Sequence, residues 1–147
     1  MKKVTSLLLM IMLIVGCGSS EKENITNIDE LSTALSGTIN TNDNAVKTIS
    51  YDDNYCVIFT HFENERLTRV FMSMASENIV ANTPVSISDG FTCAISFYEK
   101  TKNYDLGFES IDEYISMLES KSTSTFLSGD YNMEANEFWF SIDLYEE

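Results

Sequence analysis

One histidine, three cysteines and 23 carboxylates are the side chains of this 147-residue chain with chemistry to offer. Nucleophilic catalysis by Ser or Cys needs a base within hydrogen-bond reach, and His61 is the single imidazole. Val57 and Phe59 alternate with it, which predicts a structural histidine on a strand. Neither a G-x-S-x-G nor an H-E-x-x-H motif occurs. A glycosidase needs two carboxyls converging on one bond, whereas here the acids fall in turns (Asp52 and Asp53, Glu63 and Glu65) or on the wet side of periodic segments. Asn40, Asn42 and Asn44 alternate like the first half of a calcium loop. Ala45 then stands where that loop needs Gly, and Tyr51 where it needs the bidentate Glu. The glycines are isolated, so no phosphate-cradling loop forms. The residues therefore predict no catalytic set, no metal site and no cofactor, with a hydrolase as the remote alternative.

The third cysteine has a different context. Lys2-Lys3 precedes an uncharged run from Val4 to Val15, too short to span a bilayer but suited to the apolar core of a signal peptide. It ends in Ile14-Val15-Gly16-Cys17. This segment resembles the lipobox of bacterial lipoprotein precursors. The resemblance implies cleavage after Gly16 and a diacylglyceryl group on the Cys17 thiol, completed by an N-acyl chain. Two or three acyl chains anchor stably where one does not. Gly18 follows the cysteine, which by the family's sorting rule implies the outer membrane if the host has two. Residues 18–24 are small and polar, as a tether would be. In the same vein, Ser36-Gly37-Thr38-Ile39 and Ser128 to Met133 resemble the opening and closing strands of small bacterial lipoproteins.

An exported chain meets an oxidising environment, so the remaining pair, Cys56 and Cys93, predicts a disulfide, with two buried thiols as the alternative. Their 37-residue separation corresponds to about 3–4 kcal/mol of loop-closure stabilisation. Four aromatics, Tyr51, Tyr98, Trp139 and Tyr145, fall on the expected non-core faces. They are either cross-strand braces or a binding surface. Met72, Met74 and Val70 either extend an apolar patch or belong to the core.

Most of the elements that position these residues have period two. Val46 to Tyr51, Tyr55 to Phe62, Leu67 to Met74, Pro84 to Ser88, Phe91 to Tyr98, Thr123 to Ser128 and Glu137 to Tyr145 read as strands. Asp52-Asp53-Asn54, Glu63-Asn64-Glu65, Ser88-Asp89-Gly90 and Gly129-Asp130 read as turns. One helix is well signalled: Ser110 and Glu113 form a capping box ahead of Ile111, Tyr114, Ile115 and Leu118. A shorter one is expected from Asn27 to Leu35. The expected fold is mainly β, an antiparallel sandwich or small barrel with one covering helix, or α+β as the alternative. The expected organisation is a signal peptide at 1–16, a lipid-anchored linker at 17–36 containing the short helix, and a single β-rich domain at 37–147.

Charge narrows the partners. The chain carries a net −14. Lys2 and Lys3 are the only charges in the leader, so its loss leaves 7 basic and 23 acidic side chains, net −16. Such a surface repels phosphate backbones, which excludes nucleic acid and favours a basic protein partner. With 44% hydrophobic and 12% aromatic residues, the chain is not a disordered acidic tail. The expectation is a non-enzymatic protein of the cell envelope, held to the membrane through Cys17 and binding another protein as an accessory or immunity-type factor. The alternative is a β-barrel lipoprotein holding a small apolar ligand.

Overall fold

The computed structural model describes residues 21–41, 46–74, 87–120, 127–134 and 136–144. The elements run α1 (Ile28–Leu35), β1 (Thr38–Thr41), β2 (Lys47–Tyr51), β3 (Cys56–Glu63), β4 (Arg66–Met74), α2 (Ile87–Thr101), α3 (Ile111–Glu119), β5 (Leu127–Asn132) and β6 (Glu137–Asp143). The six strands form one antiparallel sheet in the order β1-β2-β3-β4-β6-β5. The fold is therefore mainly β and, in its layers, the α+β form. Among the described residues β1 and β5 are the sheet's edges, so it is open, and three helices cover it instead of the single expected one.

The local signals explain most of these elements. Asn27 caps α1, its side-chain oxygen accepting from the Glu30 N–H at 3.0 Å. The Glu30 carboxylate reaches back to accept from the Thr26 N–H at 2.7 Å. Ser110 caps α3 in the same way, accepting from the Glu113 N–H at 3.2 Å, while the Glu113 carboxylate accepts from the Glu109 N–H at 2.9 Å. The β3–β4 hairpin turns on Asn64 and Glu65, both at positive φ (50° and 68°), as a two-residue turn between twisted strands requires. Asp52, Asp53 and Asn54 are likewise left-handed, with φ between 50° and 66°. Short polar side chains tolerate that region best.

The largest departure from the sequence reading is α2. Phe91 to Tyr98 is helix, and Ser88-Asp89-Gly90 is its first turn, not a hairpin. The segment satisfies both periods. Phe91, Cys93, Ile95 and Phe97 alternate, but Gly90, Cys93, Ala94, Phe97 and Thr101 also form a stripe at helical spacing. The second set is the one that is buried. Asn136, from the β5–β6 turn, completes the helix start by accepting from the Ile87 N–H at 3.2 Å. Gly129-Asp130 is likewise not a turn but lies inside β5. Pro84 and most of the expected strand at Thr123 to Ser128 lie outside the described residues.

The core sits between the helices and one face of the sheet. Ile49, Tyr51, Cys56, Ile58, Val70, Met72, Phe138, Phe140 and Ile142 supply the sheet side. Leu31 and Leu35 of α1, Cys93, Ala94 and Phe97 of α2, and Tyr114 and Leu118 of α3 supply the helix side. Val70 and Met72 are thus core residues. Ile25 is 1% exposed and packs, together with α1, into this core. The covalent link expected between Cys56 and Cys93 is present, with the Cα atoms 5.6 Å apart, and it fastens the start of β3 to the first half of α2.

Candidate binding face

Alternation along each strand gives the sheet a second face, opposite the helices. Register places its residues in rows across the strands. Thr48, Phe59, Phe71, Ser141 and Ser128 form one row. His61, Arg69 and Asp143 form the row on one side of it, with Arg69 and Asp143 joined as a charge-assisted pair. Trp139 and Asp130 belong to the row on the other side. Phe71 and Trp139 are diagonal neighbours with nearly parallel rings, 6.3 Å between centroids and 25° between planes. Phe59, Phe71 and Trp139 are each half-buried, and His61 is exposed. The arrangement is a shelf of three aromatic side chains with hydroxyls between them and an ion pair at one margin.

Of the three expected binding aromatics among the described residues, one lies on this shelf. Trp139 does. Tyr51 is 1% exposed and faces the helices, its hydroxyl donating to the Cys93 carbonyl at 3.0 Å. Lys47 lies at the start of the same strand, where its ammonium stands 5.2 Å over the Phe62 ring. Tyr98 is on α2, and its ring stacks on Tyr114 at 5.3 Å and meets Phe108 edge-on at 6.4 Å. Both tyrosines brace the interior. Tyr145 lies outside the described residues, as does Cys17. Phe59 and Phe71 are the shelf residues the sequence does not single out. Each sits in a segment apolar on both sides, and only the strand order decides which side is left without helices.

Among the described residues, no three His, Cys, Asp or Glu side chains converge as a metal site would need. His61 shares its row with Arg69, and Asp143, the nearest acid in that row, is already paired with the guanidinium. Asn40 donates to the Thr38 carbonyl at 3.2 Å and to the Ser50 hydroxyl at 3.0 Å. Asn42 and Asn44 lie outside the described residues. Asp52 is held by α2, accepting from the Ser96 hydroxyl and pairing with the Lys100 ammonium at 3.1 Å. In the interior, burial pushes the Tyr51 and Tyr114 phenols up, so both stay neutral. No helix among the described residues is long and apolar enough to cross a membrane. No protein-family model matches the chain, and no match was found among curated proteins or among solved structures.

Proposed function

We propose that this chain is a lipid-anchored protein of the cell envelope, acylated on Cys17, whose folded body binds a basic protein partner as an accessory or immunity-type factor. The observation that carries the binding reading is the aromatic shelf of Phe59, Phe71 and Trp139. Half-buried aromatics on a sheet face offer large contact area at little entropic cost. The surrounding net charge of −14 favours a partner of opposite sign and speeds its approach. The lipobox at Ile14 to Cys17 supports the anchor, and the fully buried Cys56–Cys93 bridge agrees with maturation in an oxidising compartment. Among the described residues, Tyr51, Phe97, Tyr114, Phe138 and Phe140 occupy the interior between helices and sheet, and the sheet ends at β1 and β5. The reading with a ligand inside a barrel therefore receives no support.

Two measurements test the proposal. Mass analysis of the mature N-terminal peptide is expected to show acylated Cys17. A photo-crosslinking residue in place of Trp139 is expected to yield a discrete adduct in intact envelopes, weakened by high salt. The same residue in place of Glu119, exposed on α3, is the control. Absence of an adduct at Trp139, or equal labelling at both positions, overturns the binding reading.

A further inference from the structure

We infer that the β2–β3 turn is a latch set by oxidation: closing the Cys56–Cys93 bond holds residues 52–54 in a left-handed form against α2, and in the dithiol chain they relax. The latch rests neither on the anchor nor on the aromatic shelf.

Tyr51 and Cys56 are paired, so the loop between them has four residues. Hairpin loops of that length are most often built on a type I turn, with its central residues at negative φ. Here Asp52, Asp53 and Asn54 all have positive φ, at 50°, 57° and 66°. Asp and Asn enter that region as single residues, because Cβ then crowds the following carbonyl oxygen. Three in succession persist only where the surroundings impose them. The β3–β4 turn is the contrast. Asn64 and Glu65 are left-handed too, but a two-residue hairpin demands that geometry by itself.

What surrounds the β2–β3 turn is α2. Asp89, Cys93, Ser96 and Lys100 are spaced by four, three and four residues, so they line one stripe of the helix. Each is tied to the turn or to a residue that closes it. The Tyr55 hydroxyl donates to the Asp89 carboxylate, which holds the phenol above its usual range. Cys93 is bonded to Cys56, and its carbonyl accepts from the Tyr51 hydroxyl at 3.0 Å. Asp52 accepts from the Ser96 hydroxyl and pairs with the Lys100 ammonium at 3.1 Å.

These ties are unequal. Tyr55 is exposed and the Asp52–Lys100 pair lies at the surface, where such contacts contribute little. The disulfide is covalent and fully buried. It also fixes the distance from the start of β3 to the helix stripe, which the polar ties need in order to close. It forms when the two thiols give up two protons and two electrons to a disulfide oxidant, which leaves as a dithiol. Once closed it is sealed in the core, so the latch stays set while the body is folded. The exposed tip at Asp53 and Asn54 thus has a shape that depends on the oxidation state of two cysteines beneath it.

Nuclear magnetic resonance reads the handedness residue by residue. A positive φ brings Hα close to its own amide proton and gives a strong intraresidue cross-peak. The whole chain, isolated from cells in detergent micelles, is compared with Cys56→Ala/Cys93→Ala. The oxidised parent is expected to show strong cross-peaks at Asp52, Asp53, Asn54, Asn64 and Glu65. In the variant the first three are expected to fall by about half or more as φ turns negative, while Asn64 and Glu65 keep theirs. Strong cross-peaks at all five positions overturn the latch, because the turn is then left-handed on its own. Ser96→Ala/Lys100→Ala with the disulfide kept is expected to retain all five. Loss at residues 52–54 there assigns the turn to the polar ties and overturns the latch as well. If Asn64 and Glu65 also lose their cross-peaks in the first variant, it has unfolded. Cys56→Val/Cys93→Ala, which refills part of the lost volume, is then read in the same way in sucrose, a solute that favours the compact state. Failure of both to fold overturns the latch, since the bond would then hold the whole body and not the turn.

Discussion

Two buried phenols separate what a tyrosine hydroxyl contributes from what its ring contributes. Tyr51 and Tyr114 are both fully packed, but the Tyr51 hydroxyl donates to the Cys93 carbonyl, while the Tyr114 hydroxyl has no hydrogen-bond partner among the described residues. A buried polar group without a partner costs about 1–3 kcal/mol, and a made hydrogen bond contributes about 0.5–1.5 kcal/mol net. Tyr114→Phe is therefore expected to leave stability unchanged or to raise it by up to about 1 kcal/mol in urea unfolding. Tyr51→Phe is expected to lower it by about 1 kcal/mol. A marked loss in Tyr114→Phe would mean that its hydroxyl is bonded after all. Nearer the surface, the Glu30 carboxyl lies below the usual glutamate range because the Thr26 N–H donates to it. A depressed carboxyl contributes stability above its unfolded value and loses it as the pH falls through the folded one. Glu30→Gln is expected to flatten the acid limb of the stability–pH curve, and an unchanged limb would remove the cap from the account.

At the scale of elements, Gly90 shows two opposed effects whose sizes decide the outcome. Alanine is favoured over glycine inside a helix by roughly 1 kcal/mol. A Cβ at position 90, however, would lie 2.5 Å from Cγ of Phe138 and 2.8 Å from its Cβ. Neither atom can move without shifting β6, because Phe138 is 2% exposed and packs against Phe91 at 4.9 Å. Overpacking of this kind costs about 1–3 kcal/mol, so Gly90→Ala is expected to be net destabilising, read as a lowered urea midpoint. A stabilised variant would show that α2 sits farther from the sheet. The same contact explains why α2 is hard to read from the sequence. Period two and helical period coincide over Phe91 to Phe97, and the choice is made by residues remote in the chain: Phe138 under Gly90, Phe140 against Phe97, and Asn136 at the helix start. By contrast, α1 and α3 are legible because their caps are local, and β3, β4 and β6 are legible because tight turns bound them or their alternation is unbroken. The shelf was half legible. Trp139 is marked by its own alternation, but Phe59 and Phe71 acquire a common face only through the pairing of β3 with β4.

At the scale of the whole molecule, one covalent bond joins the helix layer to the sheet, which are otherwise held by packing and by hydrogen bonds such as that from Tyr51 to the Cys93 carbonyl. Cys56 opens β3 and Cys93 lies on α2, both at most 1% exposed, at a sequence separation of 37. The segment they close contains β3, β4 and the first turns of α2, so the bridge constrains the unfolded chain across the centre of the sheet. In the chain-entropy account a loop of this length is worth about 3–4 kcal/mol. That is a large share of the 5–15 kcal/mol typical of a domain. The bond is enclosed by Tyr51 and the helix–sheet core, so a reductant gains access chiefly when the body opens. The leaderless body with Cys56→Ala and Cys93→Ala together is expected to lose about 3–4 kcal/mol in urea unfolding relative to the oxidised parent. In a mild reductant, the parent is expected to convert to the reduced form at a rate that rises with urea, because opening limits the reaction. Rapid reduction independent of urea would place the sulfurs at the surface. It would also dissolve the inference from a buried bridge to an oxidising compartment.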